Sequence, residues 1–287
     1  MADRGPRKAP ATTRLLVRRT ERVTPHMIRV VAAPDDPGAL ARFAESPHTD
    51  AYVKVVFRRP EVGYPEPFDM ERVRAELPRE HWPALRTYTI RAVDTEAGEV
   101  TIDFVHHGDE GLAGPWAATA GPGTELLVLG PGGAYSPDPT ADWHLFVGDE
   151  AALPAIAAAL ARVPSGVPAY AFVEVEDAAE RQDLPCPGDL RLRWLLRSEA
   201  GQDAILDEVR GFDFPAGRVH AFVHGEANAV KLLRRHLLHE RGLTMDQLSI
   251  SGYWRRGFDD ESYRAVKRAD LEAEAKRDAE LSAAGRR

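Results

Sequence analysis

Residues 130–142, Gly-Pro-Gly-Gly-Ala-Tyr-Ser-Pro-Asp-Pro-Thr-Ala-Asp, separate two stretches of chain written in different patterns. Such a run of turn formers cannot continue a helix or a central strand, so an element boundary falls there. Before it, short runs rich in β-formers lie between glycines and prolines: Thr13–Arg19, His26–Ala32, Ala51–Phe57, Arg86–Val93, Glu99–His106 and Thr124–Leu129. One helix, Gly111–Thr119, interrupts them. Short strands with so little helical periodicity predict an antiparallel barrel. Beyond the boundary, strands at His144–Val147, Ala169–Val175, Arg191–Leu195, Arg218–Val223 and Leu248–Gly252 alternate with helices at Leu153–Arg162, Ala204–Val209 and Ala227–Arg241. That alternation predicts an α/β domain with a parallel, doubly wound sheet. The expected domains are therefore 1–137 and 138–287, and the charged tail from Asp259 to Arg287 reads as a helix whose first turns dock.

Charge and cysteine content remove several functions. With 45 acidic against 37 basic residues the net charge is −8, and nucleic acid is not an expected partner. The single cysteine, Cys186, closes no intramolecular disulfide and supplies no Cys-ligated zinc or iron–sulfur site, which suits a reducing, cytoplasmic setting. No apolar run approaches the roughly 20 residues of a membrane helix, and Met1–Arg14 has no signal-peptide core. No membrane partner and a monomeric state are expected.

Four segments carry chemistry. In Arg86-Thr87-Tyr88-Thr89-Ile90-Arg91, strand alternation puts Arg86, Tyr88 and Ile90 on one face and Thr89 and Arg91 on the other. An aromatic flanked by arginines suits a flavin: a ring to stack, a cation for a pyrophosphate, and a hydroxyl or amide near Thr89 for the reacting nitrogen. The same residues also fit an ordinary strand with an exposed Arg/Thr face. Asp103 to Ala117, with Val105, His106 and His107 before Gly111, Ala113, Gly114 and Trp116, ends a strand and opens a helix through glycines. Backbone amides there suit a pyrophosphate, and Asp103 and His107 suit a ribityl chain or adenosine; solvated loop residues are the alternative. His106 and His107, adjacent on a strand, point to opposite faces, and no metal site is expected.

Gly148-Asp149-Glu150-Ala151-Ala152-Leu153-Pro154 follows the first strand of the α/β half, at the edge where such folds bind nucleotides. It lacks G-x-G-x-x-G, and Asp149 as N-cap with Pro154 in the first turn explains it equally. Glu174 or Glu176, ending the next strand, suits a ribose 2′-hydroxyl and so NADH, whereas Arg181 and Arg193 suit NADPH. Last, Gly252-Tyr253-Trp254-Arg255-Arg256-Gly257 reads either as a cover for a flavin facing an anionic ligand, or as a buried Trp254 with snorkelling arginines.

In this order and spacing the segments RTYTIR at Arg86, DFVHHG at Asp103, GDEAALPAI at Gly148, HGEANAVKLLRRHL at His224 and GYWRRG at Gly252 resemble the siderophore-interacting protein family. The resemblance implies a ferredoxin-reductase-like FAD barrel, a nucleotide-binding α/β domain, and NAD(P)H-dependent reduction of ferric siderophores through FAD, the type without an iron–sulfur cluster. It carries Arg86, Tyr88, Thr89, Ile90 and Arg91 over as flavin residues, Tyr88 and Thr89 nearest the reacting ring. Asp103, Val105, His107, Gly111, Ala113, Gly114 and Trp116 follow as cofactor residues, although Leu112 stands where proline is usual. Asp149, Tyr253 and Trp254 complete that set. Lys54, in AYVKVVF, looks like the family's basic residue near the substrate pocket, joined here by Arg255 and Arg256, while Gly132 stands where some members have arginine. FAD, NADH or NADPH, and a ferric siderophore are thus the implied cofactor, electron donor and substrate. The strand motif and layout equally permit a general flavin reductase or an oxygenase's reductase component, which GYWRRG disfavours. A flavin-free siderophore-binding protein is the non-enzymatic alternative.

Overall fold

The structure, a computed structural model, describes residues 12–201, 204–267 and 269. The first part runs β1 (Thr12–Thr24), β2 (Met27–Pro34), α1 (Pro37–Ala44), β3 (Tyr52–Phe57), α2 (Met70–Glu76), β4 (Ala84–Asp94), β5 (Glu99–Val105), α3 (Ala113–Thr119) and β6 (Glu125–Gly132). Its six strands close in the order β1-β2-β5-β4-β3-β6, all pairs antiparallel. Alternation explains the closure: Leu15, Val17, Val53, Val55, Val100, Ile102 and Phe104 point inward and are buried. Helices α1 and α2 were not expected, because each is too short to show a period. Their starts are nonetheless written locally: Asp36 accepts from Gly38 N and Asp69 from Glu71 N and Arg72 N. Phe43 and Ala39 of α1 join the barrel core, while Met70 and Val73 of α2 pack on the outside against Val56, Leu127 and Leu129.

The second part runs β7 (Trp143–Gly148), α4 (Leu153–Leu160), β8 (Pro168–Val175), β9 (Asp189–Leu196), α5 (Arg197–Ala200), α6 (Ala204–Gly211), β10 (Val219–Glu226), α7 (Ala227–Arg235) and β11 (Leu248–Trp254). Its sheet is fully parallel in the order β11-β10-β7-β8-β9. Helix α4 is apolar on nearly every side because the sheet covers one side and barrel strand β4 the other. The helix expected to reach Arg241 keeps α-helical bonding only to Arg235. A π-turn over His236–Glu240 follows, with buried His236 held between Glu240 (2.9 Å) and Arg241 (3.2 Å). Residues 260–267 are helical, and the tail beyond residue 269 lies outside the described residues.

Glu180 stitches the two parts together. Its buried carboxylate accepts from Thr24 Oγ1 at 2.5 Å and from His26 N at 3.1 Å, and lies 2.8 Å from His26 Nδ1. Under the sheet, His144 is 0% exposed with neither ring nitrogen hydrogen-bonded, and burial lowers its pKa to about 4. The folded state thus keeps it neutral. Its contribution is complete above pH 6.5 and is lost as pH falls toward 4, at a cost of about 3 kcal/mol by pH 4. His144→Leu, which removes no hydrogen bond, should match the parent at pH 7 to within about 1 kcal/mol and exceed it by about 3 kcal/mol at pH 4. Denaturant titrations at both pH values measure this, and equal acid losses in the two proteins would place the sensitivity elsewhere.

Candidate functional site

Strand β4 carries the first expected segment along the barrel. Tyr88 is mostly buried with its ring 4.3 Å from Phe104, and Trp116 of α3 lies 5.5 Å from the same ring. Ile90 belongs to the barrel core and Thr89 is buried. Burial pushes the Tyr88 phenol up, so it stays protonated. The expected sharing of a face holds for Tyr88 and Ile90, while Arg86 at the strand's start reaches across to the 260–267 segment. There it donates to Glu261 at 2.5 and 2.9 Å and to Asp260 at 3.4 Å.

Arg91 stands apart from the other arginines of this face. It sits at a register shift between β4 and β5, within electrostatic reach of Asp103, but Asp103 is buried and pairs across the ladder with Arg29, whose fork takes both carboxylate oxygens at 2.7 and 2.8 Å. Arg91 is left half-buried with no hydrogen bond or ion pair among the described residues, and burial lowers its pKa. A half-buried guanidinium without an anion is costly, so the donor set asks for one. Close by in the chain, α3 begins at Ala113 with no side-chain cap at Leu112, which is 43% exposed. Gly114 lies so near the end of β5 that a Cβ would sit 3.2 Å from Val105 O, and Ala113 beside it is buried. An unpaired cation, free amides and an aromatic ring fit a flavin dinucleotide.

The carboxyl edge of the sheet carries the second group of expected residues. Between β7 and β10 the strand order reverses, and the ends of β7, β8 and β10 line a cavity of about 240 Å³. Asp149 organises this edge as a buried hub. Its Oδ1 accepts from Ala151 N (3.0 Å) and Ala152 N (3.3 Å); its Oδ2 accepts from Glu226 N (2.8 Å) and Trp254 Nε1 (2.7 Å). Gly225, at φ +142°, permits the close approach, since a Cβ there would meet Asp149 Oδ2 at 2.6 Å. Burial first, then the Glu150 charge, push Asp149 up to about 7. Trp254 is 37% exposed and held by its indole N–H, while Tyr253 packs 4.9 Å from His224 within electrostatic reach of Asp50, Tyr52 and Asp149. Asp149 therefore acts here as a brace for the Trp254 loop.

Glu150, Glu174 and Glu176 converge on Arg197, with Glu150 also at 2.9 Å and the other two each at 3.1 Å. His107, exposed at the barrel's end, lies within electrostatic reach of Glu150 and Arg197. The flavin-type face and the nucleotide-type edge therefore meet at one seam. Lys54 of β3 is half-buried with no hydrogen bond or ion pair among the described residues, and burial lowers its pKa, followed by the nearby Arg264 and Arg74. Gly132 has its side-chain space filled by Tyr52, whose ring would lie 2.6 Å from an added Cβ. Arg255 lies over Phe258 at 4.8 Å, whereas Arg256 lines the sheet-edge cavity; the structure brings Arg256 to Glu174.

Arg29, Arg197 and Glu261 were missed by sequence reasoning. Each is an ordinary charged residue far along the chain from its partner, and no local pattern marks it. Among the described residues no cluster of His, Cys, Asp or Glu could hold a metal, and no helix is long and apolar enough to cross a membrane.

An antiparallel flavin-type barrel joined to a parallel nucleotide-type sheet is the ferredoxin-reductase-like architecture, shared for example with the ferredoxin reductase of carbazole 1,9a-dioxygenase at a TM-score of 0.60 and 14% identity, over 87% of this chain and 69% of that one. The profile described as "Siderophore-interacting FAD-binding domain" matches residues 16–135, and that described as "Siderophore-interacting protein" matches residues 141–257. The chain belongs to the siderophore-interacting protein family. It is 32% identical over 262 residues to the ferric vibriobactin reductase ViuB of Vibrio cholerae, covering 89% of this chain and 94% of that one. It is 30% identical over 245 residues to an NADPH-dependent ferric-chelate reductase of Escherichia coli, covering 84% and 91%. A siderophore utilization protein from T. fusca superposes with a TM-score of 0.74 at 37% identity, covering 88% of this chain and 96% of that one.

Proposed function

We propose that the protein is a ferric-siderophore reductase that holds FAD on the barrel face of the seam and takes electrons from a reduced nicotinamide nucleotide at the sheet edge. The observation that carries this reading is Arg91: a half-buried cation that makes no hydrogen bond or ion pair among the described residues, in the barrel that the FAD-binding profile matches. When bound, FAD accepts electron pairs and releases them singly, the conversion that Fe(III) requires of a nicotinamide donor.

The chain's own residues bind and orient. Arg91 and the open amides at the start of α3 hold the anionic part of the cofactor, with Tyr88 and Trp116 as apolar walls. Thr89 supplies a buried hydroxyl beside them. Lys54, unpaired on the same barrel face as Thr87, attracts an anionic iron chelate despite the chain's net charge of −8. No protein ligand to iron is needed, because hard oxygen donors hold Fe(III) far more tightly than Fe(II), and reduction itself loosens the metal.

Anaerobic mixing of FAD-loaded protein with NADH or NADPH, a ferric siderophore and ferrozine tests this. The expected results are bleaching of the flavin band and formation of the coloured ferrous complex. A yellow protein that yields no ferrous product with any electron donor would remove the reductase reading, and a protein that never takes up flavin would leave a binding role.

A further inference from the structure

We propose that the sheet-edge cavity receives an adenosine ribose bearing a free 2′-hydroxyl and disfavours a 2′-phosphate, so that Glu174 selects NADH over NADPH as electron donor. This rests on the reading that a nicotinamide nucleotide docks at the crevice between β7 and β10.

Glu174 ends β8, the strand after the one leading into the Gly148–Asp149 turn, where nucleotide folds place the acid that binds the ribose. It is only 7% exposed and lines the cavity. Its Oε1 accepts from Arg197 Nη1 at 3.1 Å, while its Oε2 is buried with no hydrogen-bond partner. A buried, unpartnered carboxylate oxygen is a rare and costly acceptor, and a hydroxyl donor relieves it. A phosphate presents only acceptor oxygens and more negative charge at neutral pH, so it meets this group with repulsion.

The other charges point the same way. Three carboxylates, Asp149, Glu174 and Glu226, line the cavity against one guanidinium, Arg256. Glu226 already caps α7 through Asn228 N and Ala229 N, so that helix start offers its first amides to its own acid. Arg197 is held by three glutamates; of the two arginines that suited NADPH in the sequence, Arg193 bonds Glu208 at 2.5 Å, and the exposed Arg181 does not line the cavity. His224 on the cavity wall stays neutral, burial having lowered its pKa to about 3. Arg256 lies within electrostatic reach of Glu174 and offsets part of that charge, but the three carboxylates outnumber it.

Calorimetric titration of the FAD-loaded protein with ADP-ribose and with 2′-phospho-ADP-ribose reads the choice without turnover. ADP-ribose should bind about tenfold or more tightly than its 2′-phosphate. Glu174→Gln should shrink that ratio to about threefold or less, chiefly by weakening ADP-ribose. Glu176→Gln, which removes a different partner of Arg197 and does not line the cavity, should keep the parent ratio. Equal or tighter binding of the 2′-phosphate by the parent overturns the proposal while leaving the nucleotide site standing, and it would match the preference in the Escherichia coli relative's name. An unchanged ratio in a folded, yellow Glu174→Gln protein also overturns it. Failure of both fragments to bind the parent removes the nucleotide reading itself, and this inference with it.

Discussion

Arg91→Leu should give an apoprotein at least as stable as the parent that purifies without FAD. The two effects have opposite signs because Arg91 makes no hydrogen bond or ion pair among the described residues, while Asp103, the nearby carboxylate, has each oxygen bonded by Arg29. In the apoprotein the half-buried guanidinium is a burden, and leucine relieves about 1 kcal/mol of it. In the proposed FAD complex the same guanidinium meets an anion in a partly desolvated place, where losing one partner of such a pair costs roughly 2–5 kcal/mol, or about 30- to 5,000-fold in FAD affinity. Flavin absorbance per mole of purified protein and denaturant unfolding of the stripped protein measure the two sides. A variant that stays as yellow as the parent would show that the cofactor's anion lies elsewhere, and a strongly destabilised apoprotein would show that Arg91 has a partner of its own.

Asp149→Ala should be the most destabilising single change at the sheet edge, by about 3–5 kcal/mol. Four N–H donors converge on this carboxylate from the β7–α4 turn, the end of β10 and the Trp254 indole, and alanine leaves them facing a dry space. Each unsatisfied buried donor costs roughly 1–3 kcal/mol, less than additively once the turn relaxes. The melting temperature should fall by roughly 10 °C. Asp149→Asn keeps one accepting oxygen but turns an amide toward other donors, and it should fall between alanine and parent. Because Trp254 loses its anchor, its fluorescence should shift toward that of a solvated indole in both variants. A melting temperature within about 2 °C of the parent for Asp149→Ala would mean that the four bonds are replaced by water at little cost.

The two-part architecture was legible in the sequence because it depends on local periodicity. Strands with period two and helices with period 3.6 declare themselves within a dozen residues, and the turn-rich segment 130–142 marked where one pattern gave way to the other. The short helices α1 and α2 escaped that reading, since seven or eight residues hold barely two turns of periodicity. The segments at Arg86, Asp103, Gly148 and Gly252 were legible as turn-bounded stretches, because each lies near the end or start of an element. The partners of their charged groups were not readable. Asp103 bonds Arg29, and Arg86 reaches Glu261, 175 positions away along the chain. Arg256 was grouped with Lys54 for the substrate, yet it lines the cavity with Glu174.

By itself, then, the sequence determined the order of the strands and of the longer helices, which family they resemble, and that one cysteine closes no intramolecular disulfide. The tertiary structure decided which of several equivalent arginines remains unpaired, which glutamate keeps an unused oxygen, and that a buried aspartate braces Trp254. Periodicity is a property of neighbours in the chain, whereas hydrogen-bond saturation belongs to neighbours in space. Strand pairing and sheet order bring those spatial neighbours together, so only the closed barrel and the wound sheet reveal which charges are already matched and which await a ligand.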